Sequence, residues 1–243
     1  MVDRCKKIEN REGMDIFAVP LSKTYSDATV ERYAFGKPSN SSENSNKTLL
    51  LMGAIGCGKT SLINGIFNWN FSVDWNDPFR FQLPQIPQSC VKVCDIPHYE
   101  GFRLKRSLTI INTPGYQEDS NKNQEITEKI RDFFVNKNYG IQEVDAVGLV
   151  INSSLPSPSA TEKFIYESIV SIFGHKVKDN IKYLFTFADQ HDPPLLKNFS
   201  GSDLIPLPKL DNFGEIDHFK FDSSAFFCLN PLLSPADRQV IFQ

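Results

Sequence analysis

Residues 53–60 read Gly53-Ala54-Ile55-Gly56-Cys57-Gly58-Lys59-Thr60, which meets every fixed position of the pattern G-x-x-x-x-G-K-[ST]. Each residue type has a chemical reason. The glycines let the backbone turn tightly, so that successive N–H groups can face one anion. Lys59 offers a compact ammonium to the β and γ phosphates, and Thr60 offers a hydroxyl to Mg²⁺. The context fits as well. Thr48 to Met52 is a short apolar run with the length of a buried strand. Thr60 to Trp69 carries Leu62, Ile63, Ile66 and Phe67 on one side, as a helix would. A helix starting here adds unpaired N–H groups and a positive dipole end. Nucleotide contacts are therefore expected along Gly53, Ala54, Ile55, Gly56, Cys57, Gly58, Lys59, Thr60 and Ser61.

Outward from this loop, strand and helix signals alternate. Ser89–Ile96 and Ser107–Ile111 read as two strands joined by a hairpin that holds His98, Tyr99, Glu100 and Gly101. Glu125 to Val135 has helical spacing in Ile126, Ile130, Phe133 and Phe134. Ala146–Ile151 is a near-continuous apolar run, as in a strand covered on both faces. Ser159–Phe173 reads as a helix stopped by Gly174, with Glu162, Lys163 and Glu167 toward water. Ile181–Phe187 and His218–Phe221 supply further strands. Residues 68–88 are rich in Asn, Asp, Pro and aromatics and read as a long irregular connection. Its Trp69, Trp75, Phe79 and Phe81 either pack on the core or form a face for a second copy. Val30–Phe35 suggests an edge strand or a docking segment, and residues 37–47 a polar loop. The pattern implies an α/β protein: a three-layer α/β/α P-loop NTPase with a mostly parallel central sheet. The domain is expected over 47–230, after an extension and linker (1–46) and before a short tail (231–243).

Composition agrees. At 40% hydrophobic and 23% charged, 243 residues can bury a full core. A net charge of −3 shows no basic bias, which argues against nucleic acid as a partner. No apolar run is long enough for a transmembrane helix, and residues 1–13 do not read as a signal peptide. Five scattered cysteines read as reduced thiols in the cytoplasm. His98, His175, His191 and His218 are dispersed and suggest no histidine chemistry.

A phosphate loop needs a second group on the metal, from the end of a neighbouring strand. Asn112-Thr113-Pro114-Gly115 stands where D-x-x-G is expected. The Gly115 N–H would meet the γ-phosphate. Thr60 and Asn112 are then the candidate metal residues, and Lys59, Thr60 and Gly115 the candidate catalytic ones. Asn112 carries no charge, so magnesium should be held less firmly. Tyr116 stands where a water-orienting Gln is common. Both departures point to slow turnover. A first switch is expected within residues 70–96, with Ser89 or Ser72 as its hydroxyl.

For the base, Thr186-Phe187-Ala188-Asp189 follows a strand in the manner of [NT]-K-x-D. Asp189 can accept from the N1–H and amine of guanine; adenine presents no such donor pair. Phe187 replaces the Lys and could cover the base by stacking. Ser224-Ala225 resembles the S-A element whose backbone meets guanine O6. GTP or GDP is favoured over ATP, and an ATPase or small-molecule kinase is the weaker alternative.

Taken together, LLMGAIGCGKTSLING (50–65), DPFRFQL (77–83), GFRLKRSLTIINTPGY (101–116), EITEKIRDFF (125–134), IQEVDAVGLVINSSLPSPSATEKFIYESIVSIFG (141–174), DNIKYLFTFAD (179–189) and FKFDSSAFF (219–227) resemble the septin and immunity-associated branch of the translation-factor-related P-loop GTPases. Within that branch the likeness is to a set of animal G-domain proteins. The resemblance implies a G domain that binds guanine nucleotide through 53–61, Asp189 and Ala225. It also implies nucleotide-bridged dimers or filaments, and peripheral membrane action in some relatives. Such relatives continue into a closing helix and a long C-terminal region, which residues 229–243 do not resemble; a fragment, an isoform or a degenerate copy is the expectation.

Overall fold

Leu50 and Met52 turn to one face of a sheet and Leu51 to the other, so the run before the glycine turn is buried on both sides. The computed structural model describes residues 5–11, 13–36, 46–84, 89–189, 191–198 and 217–223. In chain order its strands are β1 (Lys7–Arg11), β2 (Met14–Ala18), β3 (Leu21–Ser26), β4 (Val30–Phe35), β5 (Lys47–Gly53), β6 (Phe79–Gln82), β7 (Val91–Ile96), β8 (Leu108–Asn112), β9 (Ala146–Asn152), β10 (Ile181–Thr186) and β11 (His218–Phe221). Its helices are α1 (Lys59–Asn70), α2 (Ser120–Val135), α3 (Ala160–Phe173) and the short α4 (Pro194–Asn198).

The main sheet has the order β11-β10-β9-β5-β8-β7-β4-β3. The run from β11 to β8 is parallel throughout, and β7 turns back antiparallel to β8 as the expected hairpin. Residues of alternate parity feed two cores. Leu50, Met52, Ile111, Leu149, Ile151 and Phe185 pack under α2 and α3, against Ile126, Ile130, Phe133, Ile165 and Ile169. Leu51, Ile110, Val150 and Leu184 pack under α1, against Leu62, Ile63 and Phe67. Leu50, Leu51, Ile111, Leu149 and Ile151 are 0% exposed. Each contributes about 1.5–3 kcal/mol of burial. This is the three-layer α/β/α arrangement of a P-loop NTPase.

Several expectations are corrected. Val30–Phe35 is not an edge: β4 lies inside, parallel to β7 and antiparallel to β3. Residues 21–35 therefore build the main sheet, although the sequence suggested an extension. Its charges are tolerated because they pair across strands: Arg32 Nε lies 2.6 Å from Asp95 Oδ2, and Lys23 Nζ lies 2.6 Å from Glu31 Oε1. The stretch 68–88 is not wholly irregular. It contains β6, which joins β2 and β1 in a second, three-stranded sheet on the α1 side. Phe81 is 1% exposed and Phe79 half-buried within an aromatic group with Phe17, so these rings pack inward. Two helix asparagines fasten β6: Asn68 Nδ2 donates to Phe81 O (2.7 Å), Phe81 N donates to Asn68 Oδ1 (2.8 Å), and Leu83 N donates to Asn64 Oδ1 (2.8 Å).

Helix starts follow local chemistry. Asp119 caps α2 by accepting from Asn121 N at 3.0 Å, which starts the helix five residues before the expected Glu125. Ser159 caps α3 through a capping box with Glu162. Glu162 is thus 4% exposed rather than facing water. Ser159→Ala is expected to cost about 1 kcal/mol, read as a lower urea midpoint at unchanged slope.

Candidate functional site

The carboxyl ends of parallel strands are where open α/β sheets place ligands. Here the loops after β5, β8, β9 and β10 meet at that edge. The loop after β5 is the glycine turn, and α1 begins at its last residues. Gly58 holds φ +91, and a Cβ there would stand 3.0 Å from Thr186 Cβ, so only glycine fits. Ile55 and Gly56 are exposed, Gly53 and Cys57 buried, and Ala54, Gly58, Thr60 and Ser61 half-buried.

Lys59 is 4% exposed. Its Nζ donates to the carbonyls of Gly53 (2.8 Å) and Ala54 (2.9 Å) and lies 3.7 Å from Cys57 Sγ. None of these partners is an anion. Burial pulls the ammonium below the usual lysine range. A phosphate arriving here would meet a charge already aimed and poorly solvated. Burial also pushes the Cys57 thiol up, which keeps it protonated and neutral beside Lys59.

Asn112 ends β8 opposite Leu51. It is 7% exposed, and its Oδ1 is buried with no hydrogen-bond partner among the described residues. Such an atom costs free energy unless something fills its place. Thr113 is spent on structure: its Oγ1 donates to Leu51 O at 3.0 Å. Half-buried Gly115 lies on Ile55, and Tyr116 is 0% exposed.

Thr186 is also buried. Its hydroxyl donates to Cys57 O (2.5 Å), with Ile151 O a second acceptor for the same proton at 3.2 Å. Thr186 thus ties the loop bearing Asp189 to the phosphate loop and acts by positioning. Phe187 follows at φ +53, a left-handed conformation that costs a bulky residue free energy, and stays 49% exposed. Ser153 supports that turn: its Oγ donates to Phe187 O at 2.7 Å, and its N–H donates to Thr186 O at 2.9 Å. Sequence reading missed Ser153, whose only signal is a hydroxyl just past a buried strand. Asp189 is exposed. The His191 backbone N–H at 2.8 Å, and then its ring, hold the Asp189 carboxyl below the usual range.

The switch serines separate. Lys92 faces Asn112 and Ile96 faces Leu108, so β7 starts at the site and ends away from it. Exposed Ser89, just before β7, lies at the site end. Ser72 does not: its hydroxyl donates to Gly101 O (2.8 Å) in the hairpin at the far end, and its φ of 58 marks a turn. Ser224 and Ala225 lie outside the described residues.

The arrangement matches known folds. Toc33 from Arabidopsis thaliana with Mg²⁺ and GMPPNP aligns over 81% of this chain and 76% of that one, with a TM-score of 0.52 and 18% identity. The same protein with GDP and Mg²⁺ aligns over 78% and 73%, with a TM-score of 0.50 and 18% identity. A dimerization-deficient mutant of it aligns over 79% and 75%, with a TM-score of 0.51 and 16% identity. At such identities the likeness is one of fold, that of a P-loop GTPase G domain. No curated protein matches the chain in sequence. The model of the AIG1 family matches residues 47–207, more than half of the chain. The chain belongs to the AIG1 family.

Proposed function

We propose that the chain is a guanine-nucleotide-binding G domain that hydrolyses GTP slowly and works as a switch or assembly unit. The observation that carries this reading is the Thr186–Cys57 hydrogen bond. It couples the phosphate cradle to the loop bearing an ionised, solvent-facing Asp189. Phosphate recognition and guanine recognition thereby share one frame. Gly53–Ser61 and Lys59 hold the phosphates, Asp189 takes the guanine donors, Phe187 covers the base, and Ser224-Ala225 meets O6. Toc33, whose structures hold GDP or GMPPNP with Mg²⁺, supports the choice of nucleotide. Dimerization is important for the GTPase activity of Toc33; by extension, a homodimer through the G domain is proposed here.

Magnesium fits the residues present. Among the described residues no group of three or more His, Cys, Asp or Glu could hold a metal ion; in this reading the phosphates supply the main ligands of magnesium. Thr60 would add a hydroxyl, and the orphaned Asn112 Oδ1 would accept from a water on the ion. When bound, the ion neutralises charge on the β and γ phosphates. The four described free cysteines suit a reducing, cytoplasmic setting. No described helix is long and apolar enough to cross a membrane; peripheral association stays within the proposal.

Asn112 and buried Tyr116 also favour a second reading, a G domain that holds nucleotide without turning it over. Single-turnover hydrolysis separates the two. Asn112→Asp is expected to raise the GTP rate about tenfold, by restoring a charge toward the metal, and to leave ATP unused. A wild-type rate no faster than free GTP would favour the second reading. An unchanged rate in the variant would count against the role given to Asn112.

A further inference from the structure

We propose that Tyr116 sets the preference of this site between nucleoside diphosphate and triphosphate, by latching the loop after β8 onto the phosphate loop. The inference rests on the guanine-nucleotide reading above. Ile55 N–H donates to Tyr116 O at 2.6 Å, and Tyr116 N–H donates to Gly53 O at 3.2 Å. Ala54 and Tyr116 thereby form an isolated parallel bridge. Gly115 is pressed onto the loop tip. A Cβ built on it would lie 2.7 Å from Ile55 Cα and 3.0 Å from Ile55 N. That space does not admit a methyl group.

The consequence depends on which phosphate reaches the tip. The inner phosphates sit over the amides between Gly56 and Thr60, beside the start of α1. With the Gly115 amide as the γ-phosphate donor, the third phosphate has to enter between that amide and the loop tip at Ile55, where Gly115 now lies. A diphosphate can bind with the latch closed; a triphosphate has to open it.

The Tyr116 side chain makes the closed state persist. It is 0% exposed. Its ring packs on Phe164 with centroids 6.1 Å apart. Its hydroxyl joins a chain with Thr127 (3.2 Å), and Thr127 with Ser168 (3.0 Å). The loop is thus fastened to α2 and α3 as well as to the phosphate loop. A ligand moves such an equilibrium only by its differential affinity for the two states. Two backbone hydrogen bonds of ordinary net strength correspond to a bias of roughly ten- to a hundredfold.

Fluorescent GDP and GMPPNP titrations of the full chain, with Mg²⁺, test this. Wild type is expected to bind GDP about tenfold or more tighter than GMPPNP. Tyr116→Gln should bring the two within about threefold, chiefly by tightening GMPPNP. Tyr116→Phe and Thr127→Val remove the hydroxyl contact and keep the volume, so they should move the ratio the same way by less. These two decide the matter even if Tyr116→Gln does not fold. Equal affinities in wild type would overturn the proposal. So would folded Tyr116→Phe and Thr127→Val proteins with an unchanged ratio. Failure of wild type to bind either nucleotide would overturn the guanine-nucleotide reading itself, and the latch with it.

Discussion

Lys59→Met is expected to weaken binding of both GDP and GTP by roughly a hundredfold or more. The reason lies in the burial of Lys59 and the neutrality of its partners. The chain has already met the desolvation cost of this ammonium. Its attraction to phosphate is therefore nearly undiluted, and losing it leaves the phosphate charge without its nearest cation. Methionine matches the stem in length and apolar character, so the fold should persist. The same effect on both nucleotides is part of the expectation, because the place proposed for Lys59 is beside the β phosphate, which GDP and GTP share. Calorimetric titration reads the change. A dissociation constant within about threefold of wild type would sink the role given to Lys59.

Asn68→Leu is the largest expected effect on stability. Asn68 is 0% exposed and pairs with both backbone groups of Phe81, besides donating to Asn64 O at 2.8 Å. Leucine has similar volume but leaves the Phe81 N–H and carbonyl buried without partners. Each orphaned group costs about 1–3 kcal/mol, which gives about 2–6 kcal/mol for the pair. Urea unfolding should show this, with β6 and its aromatic group released first. A loss under about 1 kcal/mol would mean that water reaches Phe81 and that the asparagine clamp is not structural.

Residues whose chemistry is local were legible in the sequence. The phosphate loop needs fixed residue types at fixed spacing, so Gly53–Thr60 could be read directly, together with its strand and helix. Runs such as 48–52 and 146–151 could be read as strands because both faces are covered. What escaped was set by partners distant in sequence. β4 read as an edge strand or a docking segment, and only the fold reveals Asp95 beside Arg32 and Lys23 beside Glu31. β6 was hidden among Asp77, Pro78 and Pro84, since its partners are residues 15–18 and two asparagines of α1. Glu162 looked solvated because a cap contact cannot be told from a surface charge by helical spacing alone.

In the site, Asn112-Thr113-Pro114-Gly115 and Thr186–Asp189 stood out as motifs, but the roles inside them did not. Thr186 was read as part of the base motif, and the motif did not reveal that its hydroxyl donates to the Cys57 carbonyl. Tyr116 was read as a missing glutamine. Its depth in the core, between Phe164 and Thr127, is a property of packing that no motif encodes.

The most direct measurement is the nucleotide carried by the purified full chain, released by denaturation and separated by anion exchange. About one guanine nucleotide per chain, retained or restored on incubation with GDP and Mg²⁺, is the expected result. Folded protein that comes out empty and stays empty with excess GDP, GTP and Mg²⁺, or that carries adenine nucleotide instead, would contradict the guanine-nucleotide assignment.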